Sequence, residues 1–143
     1  MAASRKTEET ADRIHGAAIR LLRFVRKEDA ASAISAAQLS VLSVLVFAGP
    51  QSLASLAAAE QVKPPTMSQL VTEMERKGLV IRTPVDRRSI RISATAKGRR
   101  LMEAGRKRRL ARLSAGLAHL PDAKLALLRE AADLMLAATE DSR

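Results

Sequence analysis

Between Ser35 and Phe47 the chain offers almost no polar face: Leu39, Val41, Leu42, Val44, Leu45, Val46 and Phe47 surround nearly the whole segment. The run is long for a strand. It opens on Ser35-Ala36-Ala37-Gln38 and is stopped by Gly49-Pro50, the signals of a helix start and end. A helix that is apolar nearly all round belongs at the centre of a domain, with other elements packed about it. The 143 residues suffice for one such domain. Apolar residues make up 47% of the chain, chiefly alanine and leucine, and aromatics only 1%, a balance that suits packed helices rather than a β-sandwich.

The elements expected around that helix follow from periodicity. From Thr7 to about Lys27, Ile14, Ala18, Leu21, Leu22 and Val25 fall on one face of a long amphipathic helix. Thr7-Glu8-Glu9-Thr10 supplies a capping hydroxyl and carboxylates at its start. After Gly49-Pro50 comes a short helix, Ser52 to Ala59, then a linker, Glu60-Gln61-Val62-Lys63, and a second helix from Pro65 to about Lys77 that Gly78 ends. Two short helices with a tight joint are the helix-turn-helix pattern. Leu79–Arg82 and Ser89–Ser93 read as strands, with Thr83-Pro84-Val85-Asp86-Arg87-Arg88 as the basic tip of a hairpin. A hairpin directly behind a recognition helix is a wing. A long basic helix follows from Thr95 to about His119, carrying Leu110, Leu113, Leu117 and Leu120. Pro121-Asp122 opens a last one with Leu125, Leu128, Ala132 and Leu136 on one face. The expected architecture is therefore mainly α with a small β-hairpin wing, a single unit without repeats or an internal linker.

Charge points to the partner. The chain carries 25 basic and 15 acidic residues, a net +10. Fourteen of the basic residues lie between positions 76 and 112, against only Asp86 and Glu103, so that this segment holds +12 and the remainder −2. Charge concentrated on the wing and the helix behind it favours phosphate binding over general solubilisation. Pro64, Thr66, Ser68, Gln69 and Thr72 lie on the recognition helix; glutamine can pair bidentately with adenine, and hydroxyls can meet phosphates or base edges. Thr66 and Ser68 could equally satisfy first-turn amides. Arg87 and Arg88 at a hairpin tip suit a narrow minor groove. Asp86 reads as a wing-structuring residue that holds an arginine such as Arg88. With Lys63, Arg82 and Arg91, these form the candidate contact set for double-stranded DNA.

At this point the chain resembles the MarR family. Val62 to Val71, continuing through Met74-Glu75-Arg76-Lys77-Gly78-Leu79-Val80, is similar to that family's recognition helix and following strand. Asp86-Arg87-Arg88 with Ile90 to Gly98 is similar to its wing and the start of its fifth helix. The order of elements agrees from Thr7 to Thr139. The chain departs in having Thr83-Pro84 where Asp-Pro is common and Gln69 where arginine is frequent, which bears on operator preference.

The resemblance implies a transcriptional regulator, probing DNA through residues of about 35–98 and forming a homodimer through helices at about 7–30 and 99–140. Leu125, Leu128, Leu134 and Leu136 are candidate interface residues, with intrachain core as the alternative. A two-fold dimer would read a pseudo-palindromic operator, as a repressor that a small aromatic or anionic effector releases. His15, Arg23, Phe24 and Phe47 are the candidate effector residues, with ordinary surface positions as the alternative for His15 and Arg23. A low-specificity architectural DNA-binding protein of the same fold is the rival reading.

Other classes find no support. His15 and His119 lack clustered partners for a metal, and no cofactor is expected. The absence of cysteine excludes a thiol switch. No Gly-rich phosphate loop, histidine–carboxylate cluster or nucleophile motif suggests an enzyme. Without a signal-peptide core or an apolar run of about 20 residues, the cytoplasm is the expected location and no membrane contact is expected.

Overall fold

The computed structural model of the chain describes residues 2–29 and 34–140. Its elements are α1 (Arg5–Arg26), a 3₁₀ turn (Lys27–Asp29), α2 (Ala36–Ala48), α3 (Leu53–Ala59), α4 (Pro64–Arg76), β1 (Val80–Pro84), β2 (Ile90–Ala94), α5 (Ala96–Leu117) and α6 (Asp122–Glu140). Position 30, the expected limit of the N-terminal helical region, lies outside the described residues.

The centre is α2. Ser35 and Gln38 close a capping box at its start, and Leu39, Val41, Leu42 and Leu45 are buried. Around them Leu56 of α3, Met67, Val71 and Met74 of α4, Leu79, Ile92 of β2 and Met102 of α5 complete the core. One expectation for α2 does not hold: Phe47, in its last turn, is 67% exposed. Its ring instead meets the Arg106 guanidinium, 5.9 Å from the centroid. Gly49, at φ +82°, turns the chain away, and Gln51 then exchanges two backbone hydrogen bonds with Ile92 (3.0 and 2.8 Å), adding a one-residue third rung to the hairpin.

The cap of α1 is Ser4, not Thr7; the Ser4 hydroxyl accepts from the Thr7 amide, so the helix begins earlier than the Thr7-Glu8-Glu9 cluster suggests. At the other end of the helix-turn-helix, Gly78 (φ +73°) lets Leu79 N–H reach the Met74 carbonyl and Gly78 N–H reach that of Glu75. Leu79 thus ends α4 rather than opening the strand, and β1 starts one residue later than expected.

The strands pair antiparallel with Val80 opposite Ala94 and Arg82 opposite Ile92. Helix α5 leaves β2 through Thr95, whose hydroxyl accepts from Gly98 N–H and donates to the Gly78 carbonyl at 2.6 Å. Farther along α5, Arg109 and Arg112 bind Asp29 and Glu28 of the 3₁₀ turn at 2.8 and 2.9 Å, securing the end of α1. Helices α1 and α6 bury no residue of their own.

Gly98 is the tightest joint in this arrangement. A Cβ there would run into the Leu79 carbonyl oxygen and come within 3.0 Å of Leu42 Cδ2. Gly98→Ala should therefore cost at least about 2 kcal/mol, read as a lower urea midpoint at unchanged slope. Gly116→Ala is the control, because its Cβ would make only an ordinary 3.7 Å contact with Phe24. That substitution should leave the midpoint unchanged or raise it.

Candidate nucleic-acid interface

The joint between α3 and α4 is built from the backbone. Gln61 takes φ +54° after the Glu60 cap, and Val62 N–H returns to the Ala57 carbonyl at 3.0 Å. Glu60 is held by the Ser40 hydroxyl at 2.6 Å, which ties the joint to α2. Pro64 and Pro65 then occupy the first turn of α4, where their missing N–H groups cost nothing. With Met67, Val71 and Met74 turned inward, Thr66, Gln69, Thr72 and Glu73 are left exposed and Ser68 half-buried. Lys63 precedes the helix as an exposed residue without a side-chain capping bond.

The hairpin tip, residues 85–89, is exposed throughout. Val85 N–H binds the Ser89 carbonyl at 2.9 Å. Asp86 Oδ1 accepts from the backbone amides of Arg88 and Ser89 at 2.7 and 2.8 Å. The sequence reading gave this carboxylate an arginine partner; the structure gives it two amides instead, in an Asx-type turn. Ser89 is thus a wing residue that was overlooked, although its position three residues after an aspartate was the available signal. With Asp86 engaged by those amides, the side chains of Arg87 and Arg88 project at the tip with no ion-pair partner among the described residues.

Two other expected contact residues are differently engaged. Arg82 lies on the inward face of β1 and donates to the Thr72 hydroxyl (3.0 Å) and the Ser68 carbonyl (3.3 Å). Thr72 in turn donates to the Ser68 carbonyl at 2.9 Å. Both groups are thus engaged within the fold, although Thr72 stays exposed. The parity of the strand carried that signal, since Arg82 is two residues from the buried Val80 and opposite the buried Ile92. Arg91, on the other face, donates to the Pro50 carbonyl at 3.3 Å and links the wing to the turn after α2.

The four candidate effector residues do not form one site. His15 and Arg23 are exposed on α1. Phe24 lies under the Arg112 guanidinium, 4.4 Å from its centroid, beside a groove of about 560 Å³ lined also by Glu28, Arg108, Ala111, Ala115 and Gly116. Phe47 meets α5 at Arg106 instead, six residues and about 9 Å along the helix from Arg112. Among the described residues, no group of three or more His, Cys, Asp or Glu could hold a metal, and no helix is long and apolar enough to cross a membrane.

The amides around Asp86 hold its carboxyl below the ordinary aspartate value of about 3.9, the Arg88 amide contributing most, then the Ser89 hydroxyl and amide. A depressed folded-state value means that this local stabilisation is complete above the ordinary value and is lost as pH falls through the depressed one. In NMR titrations the Arg88 and Ser89 amide resonances should therefore move together below the ordinary aspartate range. Asp86→Asn should abolish that step; resonances that stay still in the native chain would mean the turn is not held by charge.

With this geometry in view, likeness to known proteins is specific. Residues 34–90 match the family model described as the MarR family. An HTH-type transcriptional regulator of Mycobacterium tuberculosis is 36% identical over 128 residues, covering 88% of this chain and 90% of that protein. Among solved structures, a MarR family protein from Bacillus stearothermophilus superposes with a TM-score of 0.84 at 24% identity, each chain covered completely. NadR in complex with 4-hydroxyphenylacetate gives 0.68 at 23% identity, with 94% of this chain and 97% of that one covered. The tight α3–α4 joint, the hairpin with its two free arginines, and a relative of this identity over most of both lengths lead to one conclusion: the chain belongs to the MarR family of winged helix-turn-helix, DNA-binding transcriptional regulators.

Proposed function

We propose that the chain acts as a homodimeric, cytoplasmic repressor of a pseudo-palindromic operator. Helix α4 enters the major groove with Thr66, Ser68 and Gln69, while Arg87 and Arg88 reach the adjacent minor groove. Lys63, Pro64 and Arg91 lie along the flanking backbone. The observation that carries this reading is the juxtaposition of an exposed polar face on α4 with a hairpin tip whose two guanidinium groups are unneutralised. Phosphate contacts of that kind supply affinity, and a glutamine on the helix supplies discrimination.

Support for the dimer comes from α1 and α6. Leu134 and Leu136 are 66% and 64% exposed, and Ile14, Leu21, Leu22, Leu127 and Leu128 are exposed as well. Leu125 is half-buried and lines an apolar groove with Leu110, Leu113 and Leu117 of α5. Apolar faces of this extent mark an interaction surface, and a two-fold axis would set the spacing of two recognition helices. A small aromatic anion acting as effector is favoured by the groove beside Phe24, Arg108 and Arg112 and by the 4-hydroxyphenylacetate bound to the NadR neighbour.

Selection from a random duplex pool tests the reading. An inverted repeat with half-site centres about 10 base pairs apart is expected; no enrichment would favour the architectural alternative. On the selected site, Arg87→Ala or Arg88→Ala should weaken binding by roughly 1–3 kcal/mol without lowering the melting temperature. In sedimentation, Leu134→Glu combined with Leu136→Glu should convert a species with the mass of two chains into one of a single chain. A variant that stays dimeric would remove α6 from the interface.

A further inference from the structure

Arg82 is a cation that the fold turns toward helix α4. Its strand partner Ile92 and its neighbour Val80 are both buried, so strand alternation aims the guanidinium at α4. There Nη2 reaches Thr72 Oγ1 and the Ser68 carbonyl, and Nε lies 3.9 Å from the Glu75 carboxylate, buried and with no hydrogen-bond partner. Positions 68, 72 and 75 are spaced i, i+4, i+7 and form one stripe along two turns of the recognition helix.

We propose that Arg82 is a positioning residue. It fixes the roll and height of α4 against the wing, and so sets sequence discrimination through Ser68 and Gln69 without touching DNA itself. This rests on the reading of α4 as the recognition helix. A planar guanidinium fixes its donors in a fork, so that Nη2 meets Thr72 and Ser68 while Nε stays beside Glu75, whereas the ammonium of a lysine is a point charge on a flexible stem and sets no such plane. A bidentate contact from Gln69 to a base edge depends on placement to within an ångström, whereas phosphate contacts depend mainly on charge. Loss of the brace therefore acts on the ratio of specific to nonspecific affinity.

The test uses the full chain, the selected duplex and an unrelated duplex of equal length, each over a salt series. Arg82→Lys keeps the charge, and Thr72→Val removes the hydroxyl from the helix side at an exposed position, so that the brace is probed from both partners. Melting curves confirm that each variant is folded. Both substitutions should lower the specificity ratio about tenfold, with affinity for the unrelated duplex and the salt slope unchanged. The double variant should lose no more than the worse single one. Equal losses on both duplexes in Arg82→Gln, with a salt slope smaller by about 0.9, would make Arg82 a phosphate contact instead. An unchanged ratio in both variants would overturn the positioning role and leave Arg82 a matter of stability alone. A native chain with no preference between the duplexes would overturn the recognition-helix reading as well, and would do so before any variant is made.

Discussion

The structure turns on a clasp between the end of α4 and the start of α5. Three consecutive carbonyls, those of Lys77, Gly78 and Leu79, are each taken by a group from the opposite side of the hairpin. Lys97 Nζ binds the first at 2.9 Å, the Thr95 hydroxyl the second at 2.6 Å, and the Thr95 amide the third at 3.0 Å. These carbonyls stand where a helix has run out of its own donors, and a buried end without partners would be costly. Gly98 completes the clasp by leaving room for the Leu79 oxygen. Because the hairpin begins and ends inside this joint, its position relative to the recognition helix follows from it. Lys77 also reaches the other way, to Gln38 Oε1 at 3.1 Å, so that the same corner touches the cap of the central helix α2.

Among the described residues three uses of arginine stand apart, and the partner of each guanidinium separates them better than sequence position does. Arg109 and Arg112 neutralise Asp29 and Glu28 in a partly buried setting, holding the end of α1 to α5. Arg82 is turned inward to α4. Arg87 and Arg88 remain unpaired at an exposed tip, while the one acidic side chain there is occupied with backbone amides. Asp86 therefore shapes the turn without cancelling the charge of its neighbours through an ion pair. A carboxylate bound to two amides is also a weaker acceptor for a nearby guanidinium, which leaves that group available to another anion.

Most of the architecture was legible in the sequence because it rests on short-range rules. The buried helix at 36–48, the prolines opening α4, Gly78 closing it and the alternation of β2 each follow from local propensity or period. What escaped was geometry between elements. The start of α1 shifted to Ser4 because a single hydroxyl in the right backbone conformation outweighs a cluster of capping residue types farther on. Phe47 lies outside the core because what α5 brings over its ring is the Arg106 guanidinium, which leaves the ring 67% exposed. The partners of Asp86 were misjudged because charge attraction was weighed and the nearer amides were not. The bond between Arg82 and Thr72 across β1 and α4 is not legible from residue type, although strand parity already places Arg82 on the side of the buried Val80.

The distribution of burial separates the two halves of the molecule. The unit from α2 to the first turns of α5 closes a core within one chain, with Leu42, Leu56, Met67, Met74, Leu79, Ile92 and Met102 almost wholly shielded. Helices α1 and α6 have no buried residue, and apart from the half-buried Leu125 their leucines and isoleucines lie open. The winged unit therefore has its own source of stability, whereas the outer helices leave apolar surface open. On the proposed dimer, that surface also fixes the distance between two recognition helices, and the ion pairs from Asp29 and Glu28 to α5 are the stiff link between the two functions. A ligand seated in the groove beside Phe24 would compete with Glu28 for Arg112, loosening that link rather than the DNA-facing residues themselves.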